Sequence, residues 1–243
     1  MDHTNPTSAL AFLQASSLPM LVQEEIERLI MTGELPVGSR INESDLAQRF
    51  NTSRGPIREA LRALEEAGLL RTEKNRGMFV RELSLVDADE IYELREALEQ
   101  IIGRRAALAI TPDGVERLQT MVGAMRDASE AENLEQYAQL NLQFHDLLLE
   151  IAGSRKLTDT YQRLIKELSL FRMRALDGGG GLRVSADEHG TIVDAIASGD
   201  AERAGLAMRQ HVAEGRSRMH KAMAEVEVEV EPNTPLSIAS KDL

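Results

Sequence analysis

Cysteine is absent from the 243 residues, which excludes disulfides, thiolate metal sites, iron–sulfur clusters and a cysteine nucleophile. Tryptophan is also absent, and aromatic residues make up only 3% of the chain, which argues against an aromatic-rich sandwich or a base-stacking sheet. No run approaches the roughly 20 apolar residues that span a bilayer. The opening MDHTNPTSALAFLQASS has no basic stretch and no long apolar core, so no secretory signal is read there. The expectation is a soluble cytoplasmic protein with no membrane partner. Positive charge is scarce: 28 Lys and Arg face 40 Asp and Glu, a net of −12. Such a balance opposes nucleic-acid binding unless it is reversed locally. What remains is 42% apolar residues, enough to build a core, in a length that suits one or two domains.

Punctuation along the chain suggests four segments: a loose arm over 1–17, a compact unit over 18–83, a helical region over 84–224 and an acidic, solvated tail over 225–243. In the tail, EVEVEVE alternates like a strand, but every second residue is charged. The helical region reads as about six helices, an all-α bundle. Thr111-Pro112 is an N-cap followed by proline at the first helical position. Gly153 stops a helix over 134–151, and Gly199-Asp200 ends one helix and caps the next. Ser185 and Glu188 have capping-box spacing. Gly178 to Gly181 form a loop; no Lys-Ser/Thr follows, so it is not a phosphate cradle.

The 18–83 unit has a different pattern. A helix over 20–31 closes at Gly33, and ELPVGSRI is an extended link. Asn42 caps a short helix, 51–53 is a turn, and Ser53 caps a helix that runs to about Ala67. LLRTEKNRGMFV then reads as two strands, 70–73 and 77–81, in a hairpin. Helix, helix, turn, helix and two-stranded wing make a winged helix-turn-helix. The fold expected for the whole chain is therefore mainly α, with that domain joined to a helical bundle.

Pro56 falls in the first turn of the 53–67 helix, where backbone N–H groups lack intrahelical partners, so the helix start stays open to a phosphate. At about 100° per residue, Ile57, Ala60, Leu61 and Leu64 share one stripe, and Arg54, Arg58 and Arg62 form the stripe beside it. One face can pack inward while the other enters a major groove. Arginine's planar fork suits guanine O6 and N7, and phosphates equally. Gly55 keeps the helix entrance thin. From Arg49 to Arg81, eight basic residues face four acidic ones, a net of +4 that answers the global −12. Lys74 and Arg76 put two cations at the wing tip, suited to a minor groove or flanking phosphates. Exposed arginines commonly serve only solubility and i,i+4 pairing, with Glu59 or Glu65 as partners here. The capped helix before them and the basic hairpin after them favour DNA.

INESDLAQRFNTSRGPIREALRALEEAGLLRTEKNRGMFV resembles the N-terminal domain of GntR-type bacterial transcription regulators, and the resemblance extends over roughly residues 20–81. Position by position it implies operator contacts from Ser44, Ser53, Arg54, Gly55, Arg58 and Gly77. Ser44 is a departure, since some members carry a basic residue there, and the resemblance implies a weakened phosphate contact. It also implies a palindromic double-stranded operator, a homodimer and, more often than activation, repression.

Five histidines are present, at 3, 145, 189, 211 and 220. Three of them, His145, His189 and His211, fall inside helices, and Asn141 shares a helix face with His145. Three imidazoles and one oxygen can hold a borderline divalent ion such as Zn²⁺, Ni²⁺ or Mn²⁺, although histidines so far apart in sequence are usually unrelated. NLQFHDLLLEIAG, ADEHGTIVDAIASGD and AERAGLAMRQHV resemble successive parts of the FCD domain, the helical effector-binding domain of FadR-type members. IYELREALEQ resembles that domain's first helix. The resemblance implies a metal held by Asn141, His145, His189 and His211. Asp is commoner at the place of Asn141. A neutral donor set leaves the ion's full charge to attract an anion, so the expected effector is a small carboxylate, with Arg95 as partner for a second oxyanion. Two other readings stand beside this one. A three-histidine site with an open position suits a metal-dependent hydrolase, but there is no HExxH and Glu188 reads as a cap. A winged helix can also serve protein contacts in a non-DNA interaction module.

Overall fold

The structure is a computed structural model that describes residues 18–175 and 181–230. The arm expected over 1–17 and most of the glycine loop lie outside the described residues, as does the tail beyond Val230.

Two compact units divide the chain. The first combines the chain up to Arg95 with Ser154–Arg174. It opens with α1 (Leu18–Met31), α2 (Glu43–Arg49) and α3 (Arg54–Glu66), followed by the antiparallel strands β1 (Leu70–Glu73) and β2 (Gly77–Val80), paired Leu70 to Val80 and Glu73 to Gly77. Asn42 caps α2 as expected, its Oδ1 accepting from Ser44 N at 3.0 Å. Gly33 and Gly68, both with φ near +75 to +79°, close α1 and α3. Ile57, Ala60, Leu61 and Leu64 are buried and all of α3's arginines are exposed, so the two expected stripes are present. Burial of each large aliphatic residue there contributes roughly 1.5–3 kcal/mol.

The link ELPVGSRI does more than connect. Ile41 N donates to Met78 O at 2.8 Å and Val80 N to Ser39 O at 2.9 Å, so the link is bridged to β2 at Arg40 and Phe79. Ser84 and Asp87 form a capping box at the start of α4 (Leu85–Ala109): Ser84 N donates to Asp87 Oδ2 at 2.9 Å, and Asp87 N to Ser84 Oγ at 3.1 Å.

By contacts, α7 (Arg155–Ala175) groups with the winged helix in the first unit. The ties are specific: Lys166 Nζ to Glu27 at 2.9 Å, Arg81 to Glu167 at 2.8 Å, and the Glu167 side chain laid over Gly68. A Cβ at Gly68 would fall 2.5 Å from that side chain.

The second unit holds the rest of α4, then α5 (Pro112–Glu130), α6 (Leu134–Ala152), α8 (Leu182–Ala197) and α9 (Ala201–Val230). Thr111 caps α5 through Gly114 N at 3.2 Å, and Gly153 ends α6 in the left-handed conformation at φ 61°. Asp200 caps α9, accepting from Arg203 N at 3.0 Å. Helix α9 approaches α4 closely because both carry glycine at the crossing. A Cβ at Gly103 would sit 2.6 Å from Ala204 O, and one at Gly205 would sit 3.0 Å from Gln100 O.

Two expectations are corrected. Helix α8 begins at Leu182, so Ser185 already lies inside it and is no N-cap; Glu188 points elsewhere, as shown below. Helix α9 continues to Val230, into the segment read as a solvated tail from 225. Extending an existing helix costs little, and Glu is a good helix former, so local alternation yields to propagation. No described helix is long and apolar enough to cross a membrane.

Candidate functional site

The N-terminal surface is built on the exposed side of α3. Ser44, Ser53, Arg54, Gly55, Arg58 and Gly77 are all exposed. Ser53 has extended N-cap geometry, φ −79° and ψ 167°, yet its hydroxyl makes no capping bond. The first-turn N–H groups of α3 are therefore not covered by that side chain. A Cβ at Gly55 would meet only Ser53 Oγ, at 3.9 Å, so nothing inside the protein demands glycine there. Gly77 differs: its φ of +105° needs glycine, and the Arg40 side chain packs 3.1 Å from where a Cβ would be.

The basic residues of this surface fall into two groups. Arg58 is held by Glu43 at 2.8 Å and Arg49 by Glu34 at 2.7 Å, while Arg71 and Arg76 share Glu73. Arg54, Arg62 and Lys74 make no ion pair among the described residues. Arg58's partner comes from α2, not from the expected Glu59 or Glu65. Such exposed pairs are worth little and yield to a phosphate. Arg40 is an addition: it is exposed at the wing, beside Gly77 and bridged to Phe79 from the link. Its place in an irregular link gave no helical or alternating signal.

The second site is the core of the second unit. His145 on α6, His189 on α8 and His211 on α9 are buried, and their ligand-capable nitrogens lie within 4.8 Å of one another. Ring centroids are 4.3 Å apart for His189 and His211, and 5.6 Å for His145 with each of the others. Phe144, fully buried, meets the His189 ring edge-on at 4.8 Å and forms a dry wall. Asn141 stands one turn before His145 on α6, half-buried.

Each imidazole is oriented from behind. His189 Nδ1 lies 2.6 Å from Ser185 O, a contact that makes Nδ1 the donor, and its buried Nε2 has no hydrogen-bond partner among the described residues. Burial, reinforced by neighbouring His211, pushes His189 down to about 3, so it is a neutral lone-pair donor near neutral pH. His211 Nδ1 donates to Glu188 at 2.8 Å, and Arg218 grips the same carboxylate at 2.6 and 2.9 Å. Burial raises the Glu188 pKa, but the His211 and Arg218 bonds outweigh it and hold the group at about 2. Glu188 is thus an orienting carboxylate and not a cap. His145 Nδ1 lies 3.6 Å from the fully buried Glu99 of α4. Convergent imidazoles, with His189 and His211 held from behind by carbonyl and carboxylate oxygen and the inward nitrogen of His189 orphaned, are a donor set that suits a divalent ion.

Glu99 and Glu188 are additions to the expected site. Two glutamates stand behind the imidazoles, and Arg218 pairs with one of them, Glu188. Glu99 lies on α4 one turn after Arg95, and its sequence spacing alone did not mark it as buried. Arg95 is itself buried, with its guanidinium 5.3 Å from the Tyr92 ring and 5.9 Å from the Tyr161 ring.

Comparison with known proteins places both regions of the chain in a family. Residues 21–80 match the model for bacterial regulatory proteins of the gntR family, and residues 90–214 match the FCD domain. This protein is a GntR-family regulator with an FCD domain. It is 32% identical over 83% of its length to the "Probable D-xylose utilization operon transcriptional repressor" of Paenarthrobacter nicotinovorans, covering 88% of that protein. It is 30% identical to the HTH-type transcriptional repressor RspR of Escherichia coli (strain K12), over 73% of this chain and 78% of that one. The solved structure of E. coli McbR/YncC shares the fold, with a TM-score of 0.72 at 21% identity, covering 86% of this chain and 99% of that one. The GntR-family regulator therefore carries its DNA-binding domain at the winged helix. As a member of a regulator family it is not an enzyme, which removes the hydrolase reading, and its DNA-binding domain removes the reading as a non-DNA module.

Proposed function

We propose that this regulator is a cytoplasmic homodimer that represses genes beside a palindromic operator and answers to a small carboxylate. Ser44, Ser53, Arg54, Gly55, Arg58 and Gly77 make the operator contacts, with Arg54 and Arg58 carrying most of the specificity. His145, His189, His211 and Asn141 hold a divalent ion: Zn²⁺, Ni²⁺ or Mn²⁺. The observation that carries this reading is the orphaned His189 Nε2 in a buried three-imidazole cluster.

The bound ion would supply positive charge and open positions for an anion. Glu188 and the Ser185 carbonyl fix the tautomers of His211 and His189, so that Nε2 of each faces inward. Phe144 excludes water from one side. Arg95, on the α4 face that carries Glu99 one turn later, is assigned to a second oxyanion of the effector. An effector acts by binding one dimer arrangement better than another. That the relatives from P. nicotinovorans and E. coli are named repressors favours repression.

The test is calorimetry with chelator-treated protein, first with each divalent ion and then with a panel of small mono- and dicarboxylates. Carboxylate binding that requires the ion and disappears in His145→Ala supports the reading. Tight ion binding with no response to any carboxylate removes the effector, and no ion binding removes the site.

A further inference from the structure

Three arginines stand on the exposed side of α3, and only one of them is tied to another helix. Arg54 and Arg62 make no ion pair among the described residues. Arg58, midway between them, donates from Nε to Glu43 Oε2 of α2 at 2.8 Å. Glu43 opens α2 directly after the Asn42 cap, where a helix start favours a carboxylate. Packing of α2 on α3 brings it to Arg58, 15 residues further along the chain. Both side chains are exposed, 59% for Arg58 and 39% for Glu43, so the pair does little for folding. The bond falls on Nε, the inner edge of the guanidinium. Among the described residues nothing engages Nη1 or Nη2, the outer end of the fork.

We infer that Glu43 is a positioning residue for base reading: it fixes the plane of the Arg58 guanidinium and leaves the outer fork to take guanine O6 and N7. That contact needs two parallel N–H groups aligned with the base edge. A free arginine gives up several rotamers to supply them, and one already held at Nε gives up fewer. The carboxylate also works against wrong sites. A phosphate that takes Nε has to displace Glu43, and Glu43 repels any phosphate beside it. Guanine at the fork leaves the pair whole. Specificity is the difference between these two cases, so a negative charge on a DNA-facing surface sharpens it while lowering affinity for DNA at large. Arg54, with no such partner, stays free to follow a phosphate or a base.

This role rests on the operator contact proposed for Arg58, and the test separates the two. Full-length wild type, Arg58→Ala, Glu43→Gln, Glu43→Ala and the double variant Glu43→Ala/Arg58→Ala each select from a pool of random-sequence duplexes at fixed salt. Affinities are then measured for the selected duplex, its single-base variants and unselected duplex. Arg58→Ala should lose roughly 10- to 100-fold of base discrimination at one position of each half-site. Glu43→Ala should lose about tenfold at that same position and keep the others, with a smaller loss in Glu43→Gln, which retains an acceptor. Both Glu43 variants should bind unselected duplex more tightly than wild type, with unfolding unchanged. In the double variant, Glu43→Ala should add nothing to the loss caused by Arg58→Ala. Glu43 variants that gain affinity for every sequence alike, with discrimination intact, overturn the positioning role and leave the operator contact standing. A loss spread over all positions, or a further loss in the double variant, overturns the positioning role by making Glu43 structural. Discrimination that survives Arg58→Ala, or a wild type that selects no sequence, overturns the operator contact and the positioning role with it.

Discussion

The two sites of this chain are built on opposite physical plans. The proposed DNA-reading surface is local: six named residues within 34 positions, all exposed, on elements whose caps and turns are written in neighbouring residues. The histidine site is non-local: three buried rings from three helices, spread over 67 positions and oriented by residues that touch no ligand. A surface meant for a polyanion can leave charges in water at little cost, and its exposed ion pairs trade readily for phosphates. A site meant for a small ion has to bury polar groups, so each needs a partner behind it. The first plan should therefore tolerate loss of one residue with its fold intact. The second should transmit a change in any member to the rest.

The largest effect is expected at the centre of the buried site. His189→Ala removes the orphaned inward nitrogen and should abolish stoichiometric metal retention, read by elemental analysis after dialysis, while operator binding without effector persists. If operator binding is lost as well with the fold intact, the two sites are not separable in the way described. On the exposed side, Arg54→Ala removes a cation with no ion pair among the described residues. It should cost about 1–3 kcal/mol of operator affinity, or roughly ten- to a hundredfold, and leave metal content and unfolding temperature unchanged. A loss of stability there would mean that the stripe is structural.

Glu188→Gln probes the orienting layer. It keeps the shape but weakens the hold on His211, and metal affinity should fall about 10–100-fold by competition titration. No change would make Glu188 only a partner of Arg218. Gly55→Ala should leave stability unchanged to within about 0.5 kcal/mol, because a Cβ has open space and alanine suits a helix. Operator affinity should drop, since the methyl group projects from the reading face. The smallest effect concerns pH. In metal-free protein His189 is held at about 3, below the ordinary 6.5 of the unfolded chain. The unfolded state therefore takes up a proton that the folded state refuses, and stability falls as pH drops below about 6.5. Between pH 7 and 5.5 the loss should be about 1 kcal/mol, and His189→Leu should remove that slope in denaturant titrations.

Legibility in the sequence follows the same division. The winged helix could be read because its signals are short-range: Asn42 bonding Ser44, Gly68 closing α3, a KNRG turn between two alternating strands. In the helical region Thr111, Gly153 and Asp200 acted locally and were readable too. Glu188 was misread because Ser-x-x-Glu looks alike whether the serine begins a helix or lies within one. Only α9, 23 residues later, reveals its partner. Glu99 was missed because a carboxylate one turn after an arginine resembles an ordinary surface pair until burial is known. Glu43 as the partner of Arg58, and Arg40 beside Gly77, were hidden because chain folding and not spacing brings them together.

The most direct test of the central claim is selection of bound fragments from the source organism's genomic DNA, with wild-type protein and Arg54→Ala in parallel at near-physiological salt. The account predicts a short palindromic site enriched by wild type and lost with Arg54→Ala. Equal enrichment by both proteins, or none by wild type with and without added divalent ion and candidate carboxylates, would contradict it.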